Sequence, residues 1–136
     1  MRLLLLFTLA CTFAFCSANF HISQVLKGTR TEKFKACPSN YWNCNCYIGD
    51  RRAGKVTKKA SGDSFSIDGM CGVGRMDFYK DPGANTYRMY LNGGNGEIIG
   101  RCYPNKASKI CRDGWAPPLL ASVSDRYVCY TYVCEP

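Results

Sequence analysis

The chain has 136 residues, 18 of them Lys or Arg against 10 Asp or Glu, for a formal net charge of +8. That length bounds it to one domain able to bury a core, and its single histidine leaves little for sites built on several imidazoles. With 13 glycines and no convincing apolar spacing at i, i+3, i+4 and i+7, long helices are excluded as its main element.

Met1 and Arg2 form a short positive start to an apolar run from Leu3 to Cys16, broken only by Thr8 and Thr12. Cys16, Ser17 and Ala18 supply the small residues that a signal peptidase needs before a cut ahead of Asn19. The run is shorter than the roughly 20 apolar residues that span a membrane. Residues 1–18 therefore read as a signal peptide, and residues 19–136 as a single cysteine-rich β domain that is secreted, extracellular and without a transmembrane segment. No Asn-x-Ser/Thr acceptor is present, so N-glycosylation is not expected.

Cys11 and Cys16 leave with the signal, and Cys37, Cys44, Cys46, Cys71, Cys102, Cys111, Cys129 and Cys134 remain. An even number in a short exported chain reads as a disulfide framework. Eight cysteines allow 105 connectivities, so the pairing stays open at this point. Each bridge adds roughly 2–4 kcal/mol, largely by restricting the unfolded chain.

Strand patterns follow in order. In "NFHISQVLK", Phe20, Ile22 and Gln24 alternate with His21, Ser23 and Val25, and "KFKAC" and "NCNCYI" read the same way. On a strand, Cys44 and Cys46 point to one face with Cα atoms roughly 6.6 Å apart, so each should reach a different partner. "GKVTKKA" reads as a polar edge strand, its lysines discouraging edge pairing. "CGVGRMDFYK", "TYRMYLN" and "EIIGRCY" predict a three-stranded meander. Pro82-Gly83 suits the centre of a type II turn, and Arg88 and Tyr90 should face opposite to Tyr87, Met89 and Leu91. The stretch "YPNKASKICRDGWAPPLLASVSD" reads as an irregular excursion, which a Cys102–Cys111 bridge would close locally; "RYVCYTYV" is a final strand. The fold expected is all-β, a small disulfide-stabilised antiparallel β-sandwich or open barrel.

Lys27 to Lys59 holds nine basic residues against Glu32 and Asp50, while charges balance from Ala60 onward. Arg51, Arg52, Lys55, Lys58 and Lys59, beside Tyr41, Trp42 and Tyr47, are the candidate binding residues. Cations interleaved with aromatics suit an anionic surface, a cell-wall glycan or a host protein, and nucleic acid less. The plainer alternative is a solvated loop beside core aromatics. "DGWAPPLL" divides similarly between a recognition loop and a cap on the core.

Catalysis has few candidates. His21 lies close to the expected new N-terminus and no Gly-x-Ser-x-Gly elbow exists. Bridged cysteines are poor nucleophiles, and Asp63, Asp68, Asp77 and Glu97 have no spacing that selects a pair. A ribonuclease-like site would draw on His21, Glu97 and an arginine. The expectation is a monomeric, non-enzymatic binding protein with no cofactor and no metal. A membrane-active toxin or antimicrobial protein and a small hydrolase or ribonuclease are the alternatives.

With its signal segment, eight mature cysteines including Cys44-Asn45-Cys46, and Gly/Tyr/Asn-rich β pattern, the chain resembles the small secreted cysteine-rich proteins of filamentous fungi. That class includes effectors and antimicrobial proteins. The resemblance implies export to act on a host or competitor by binding, and assigns no functional residue.

Overall fold

The computed structural model describes residues 18–28, 31–48, 53–57, 60, 62–112 and 120–134. Its strands are β1 (Ala18–Lys27), β2 (Thr31–Pro38), β3 (Gly54–Val56), β4 (Ser64–Asp68), β5 (Arg75–Lys80), β6 (Tyr87–Leu91), β7 (Gly100–Pro104), β8 (Ser108–Arg112) and β9 (Leu120–Thr131). A 3-10 turn (Ser39–Tyr41) and one short helix, α1 (Cys44–Ile48), lie between β2 and β3. The strands form one antiparallel sheet in the order β1-β2-β3-β4-β5-β6-β7-β9-β8, and β1 also pairs with β9. That last pairing closes eight strands into a barrel and leaves β8 outside it. Closure satisfies the backbone groups that an open edge would expose.

Alternation drives the barrel. Phe20 and Ile22 of β1, Phe65 and Ile67 of β4, Met76 and Phe78 of β5, and Tyr87 and Met89 of β6 all turn inward and are fully or almost fully buried. Phe65 stacks on Phe78 at 4.6 Å, and Tyr87 meets Tyr127 edge-on at 5.1 Å. The interior is thus packed with side chains, as eight-stranded barrels of this size allow. The expected meander is present as β5, β6 and β7. Ala84 N–H closes on Asp81 O with Gly83 at φ 72°, the positive value that a type II turn requires at its third residue.

β9 contains a switch of face that its burial pattern hides. Every second residue from Ala121 to Thr131 is buried. Yet Ile22 pairs with Tyr127 while Ser23 pairs with Asp125, so Arg126 is an extra residue in a β-bulge. Past the bulge, Tyr127 and Cys129 face the barrel interior. Before it, Ala121, Val123 and Asp125 face outward, where Val25, Cys37, Cys46, Tyr47 and Cys111 join Ala121 and Val123 in a second, smaller core. The chain from Ser39 to Ile48 covers this outer core.

Several expectations are corrected. "NCNCYI" is not a strand: Cys44–Ile48 is helical, with Cys46 N–H donating to Asn43 Oδ1 at 3.2 Å in the first turn. Residues two apart on a helix point roughly 200° apart. Cys44 and Cys46 do reach different partners, but because they face opposite ways: Cys46 bonds Cys37 of β2, and Cys44 bonds Cys111 of β8. The local Cys102–Cys111 bridge does not form. Cys102 bonds Cys129, its cross-strand partner in β7–β9, and Cys71 bonds Cys134. β3 is no edge, since it pairs with both β2 and β4. The presumed irregular excursion contains β8 and the first half of β9.

Gly100 marks the tightest backbone approach. A Cβ there would sit 2.9 Å from Thr131 Cβ and 3.0 Å from Met89 Sδ, with the Tyr130 carbonyl oxygen closer still. A backbone atom cannot rotate away, so Gly100→Ala is expected to cost about 3 kcal/mol, near the upper end for overpacking. Chemical denaturation checks this; a midpoint equal to that of the parent would mean β7 and β9 can separate without loss.

Candidate functional site

Two outward-facing regions carry chemistry. The first is centred on Asp125, whose side chain is 0% exposed. The bulge turns its carboxylate toward β1, where His21 Nδ1–H donates to Oδ2 at 2.5 Å and Ser23 Oγ donates to Oδ1 at 3.1 Å. Asn105 Nδ2, from the β7–β8 connection, donates to Oδ2 at 2.7 Å. Ser23 Oγ also lies 2.8 Å from the Tyr47 hydroxyl. Burial pushes that hydroxyl well above the ordinary tyrosine range; the hydrogen bond with Ser23 opposes the rise and the charge of Asp125 adds to it.

His21 lies flat on Trp42, ring centroids 4.8 Å apart. Lys109 Nζ sits 3.3 Å from the centre of the same indole and donates to Trp42 O at 2.7 Å. Burial lowers the Lys109 pKa from its ordinary value, and the charge of Asp125 offsets part of that. A carboxylate on Nδ1 of an imidazole is the arrangement that orients a general base. Here the same carboxylate also takes Ser23 and Asn105, while the imidazole is packed against Trp42. What the group visibly does is fasten the Ser39–Ile48 cover and the β7–β8 connection to β1 and β9.

This placement revises the predicted residues. Tyr47 is fully buried and offers no ring to a ligand, because α1 turns it into the second core. Tyr41 and Trp42 are half-buried at the rim of that core. Lys55 is exposed on β3, opposite Lys35 and Asp68. Lys35 Nζ donates to Tyr47 O at 2.6 Å and Lys27 Nζ to Ile48 O at 3.4 Å, so two upstream lysines hold the end of α1. Arg51, Arg52, Lys58, Lys59 and the Asp113–Leu119 part of "DGWAPPLL" lie outside the described residues, as do residues 1–17, where the signal peptide is expected. His21 has Asp125 as its acidic partner, whereas Glu97 sits exposed in the β6–β7 connection. Asp68 and Asp77 both serve Arg75, and Asp77 also accepts from Ser66 and Asn92. Burial alone would raise the Asp77 pKa, but these hydrogen bonds together hold it below the ordinary value.

The second region is the outer face of β5, β6, β7 and β9. Pairing registers align Tyr79 with Arg88, Arg88 with Arg101, and Arg101 with Tyr130. One row therefore crosses four adjacent strands, its tyrosines 50% and 43% exposed. Tyr79 meets Tyr90 edge-on at 5.7 Å, and Tyr130 meets Tyr103 at 6.0 Å. Asp81 anchors both cations: Arg88 Nε lies 2.7 Å from Oδ1 and Arg101 Nη1 lies 3.1 Å from Oδ2. Thr86 Oγ1 donates to the same carboxylate at 2.7 Å. Beside it, a depression of about 430 Å³ is lined by Asp63, Lys80, Asp81, Pro82, Gly83, Ala84 and Asn85.

The basic segment is visible in composition alone, whereas the residues of this row are scattered over four strands of the sequence. Its signal was present: alternation in "TYRMYLN" turns Arg88 outward, and the same parity in "RMDFYK" and "RCYP" turns out Tyr79, Arg101 and Tyr103. Register across strands was the missing information. Among the described residues, no cluster of three or more His, Cys, Asp or Glu is placed to hold a metal ion, and no helix is long and apolar enough to cross a membrane. In comparisons with family models, curated proteins and solved structures, nothing matches this chain.

Proposed function

We propose that this is an exported, non-enzymatic binding protein that engages a glycan or anionic surface of a host or competitor. The observation that carries the reading is the Tyr79–Arg88–Arg101–Tyr130 row on the outer barrel wall. Exposed tyrosines on a rigid sheet supply flat apolar faces with a polar tip at low entropic cost, and fixed guanidiniums supply directional donors. The packed interior supports a surface site over a ligand held inside the barrel. Four disulfides suit an oxidising compartment and a protein that must persist there.

The basic segment has a different part in this reading. Arg51, Arg52, Lys55, Lys58 and Lys59 add long-range attraction toward an acidic surface, a rate effect that salt screens. Contact specificity belongs to the row. Binding to insoluble cell-wall polysaccharides tests the assignment by co-sedimentation. Tyr79→Ala with Tyr130→Ala should weaken retention at least about tenfold, the loss expected when central aromatic anchors are truncated. Undiminished retention by a folded double variant would remove the row from the function.

A further inference from the structure

Resting on that reading, we infer that the row selects an extended, sparsely charged glycan: a β-linked backbone carrying isolated uronic-acid groups, laid across the strands. Adjacent strands are spaced about 4.8 Å apart, so the row from Tyr79 to Tyr130 spans roughly 14 Å. That inter-strand step is close to the repeat of an extended β-1,4-linked sugar chain. Successive sugars therefore meet successive strands, with neutral rings over Tyr79 and Tyr130 and the centre of the segment over the two arginines.

The charge pattern selects among polymers. Arg88 and Arg101 share one carboxylate, Asp81, so the centre of the row holds one uncompensated positive charge. Each guanidinium has five N–H donors and each engages Asp81 through a single nitrogen, Nε in Arg88 and Nη1 in Arg101. The side chains are 33% and 45% exposed, which leaves donors facing solvent. A planar guanidinium with donors left over from one ion pair can take a second carboxylate. On the same wall, Asp77 and Asp68 both pair with Arg75, leaving one carboxylate in excess there, so the surplus positive charge is confined to Arg88 and Arg101. A nucleic acid brings one phosphate per nucleotide and would set several of them against these carboxylates with one net cation to meet them. A glycan with an occasional uronate matches the single surplus charge.

The test compares glucuronic-acid-substituted xylan with the same polymer after its carboxyl groups are reduced to alcohols, by affinity electrophoresis at fixed salt. The parent protein should bind the acidic polymer about tenfold more tightly or better, the worth of charge-assisted hydrogen bonds. Arg101→Gln should bring the acidic polymer down to the affinity of the reduced one. Arg101→Lys, which keeps charge but loses the planar fork, should fall between them. A thermal melt of each variant separates lost contact from lost fold, and Arg88→Gln gives an independent second variant at the same site. Equal binding of both polymers by the parent would overturn the inference while leaving the glycan reading intact. Binding of neither polymer, with single-stranded RNA retained through Tyr79 and Tyr130, would overturn both.

Discussion

Replacing Asp125 with alanine is expected to lower stability by about 3–5 kcal/mol, the cost of removing one partner from a buried charged network. Three side chains donate to this carboxylate, from β1 and from the β7–β8 connection. Alanine leaves His21 and Asn105 facing a space that holds no acceptor. It also removes the compensating charge beside Lys109, which already sits in a partly desolvated place over Trp42. Asp125→Asn should cost less, about 1–3 kcal/mol, because its carbonyl can stay where Oδ2 accepts two donors and its amide can face Ser23. Urea denaturation of the oxidised proteins measures both. If the alanine variant unfolded within about 1 kcal/mol of the parent, the group around Asp125 would not be what holds the cover on the barrel.

The second large effect concerns two disulfides that meet at one short helix. Cys44–Cys111 closes 67 residues of sequence separation, and Cys37–Cys46 closes only 9. In the chain-entropy account the longer loop contributes about 4 kcal/mol and the shorter about 2.5 kcal/mol. Cys44→Ala with Cys111→Ala should therefore lower the denaturation midpoint more than Cys37→Ala with Cys46→Ala. The longer bridge also ties β8, which lies outside the closed barrel, to the cover. Its loss should raise amide hydrogen exchange in Ser108–Arg112 while the barrel strands stay protected. Equal midpoints for the two double variants would place the stabilisation in local geometry instead of loop closure.

Much of the barrel was legible from alternation. Phe20 and Ile22, Tyr87 and Met89, and the Pro82-Gly83 turn all stand where period-2 patterning and turn chemistry put them. Each of these signals is local, read within a few residues. The errors fall where local patterns mislead. Cys44-Asn45-Cys46 has the spacing of a strand pair, but a five-residue helix is stable there because two disulfides and Asn43 hold it. β8 was missed because "SKICR" has too little apolar content to announce a strand. It forms by pairing with β9, whose partner residues run from Leu120 to Ser124.

The sequence by itself determined an all-β chain, its framework of eight paired cysteines, the β5–β7 meander and the outward parity of Arg88 and Tyr90. These follow from composition and from the two-residue period of a strand, which every strand carries within itself. Only the tertiary structure decided which cysteines pair, that the sheet closes, and that Tyr79, Arg88, Arg101 and Tyr130 share one row. It alone brought His21 to Asp125 across 104 positions of sequence. The reason is register: which residue of one strand faces which residue of the next depends on loop lengths, on the bulge at Arg126 and on barrel closure together. No single segment of the chain contains that information.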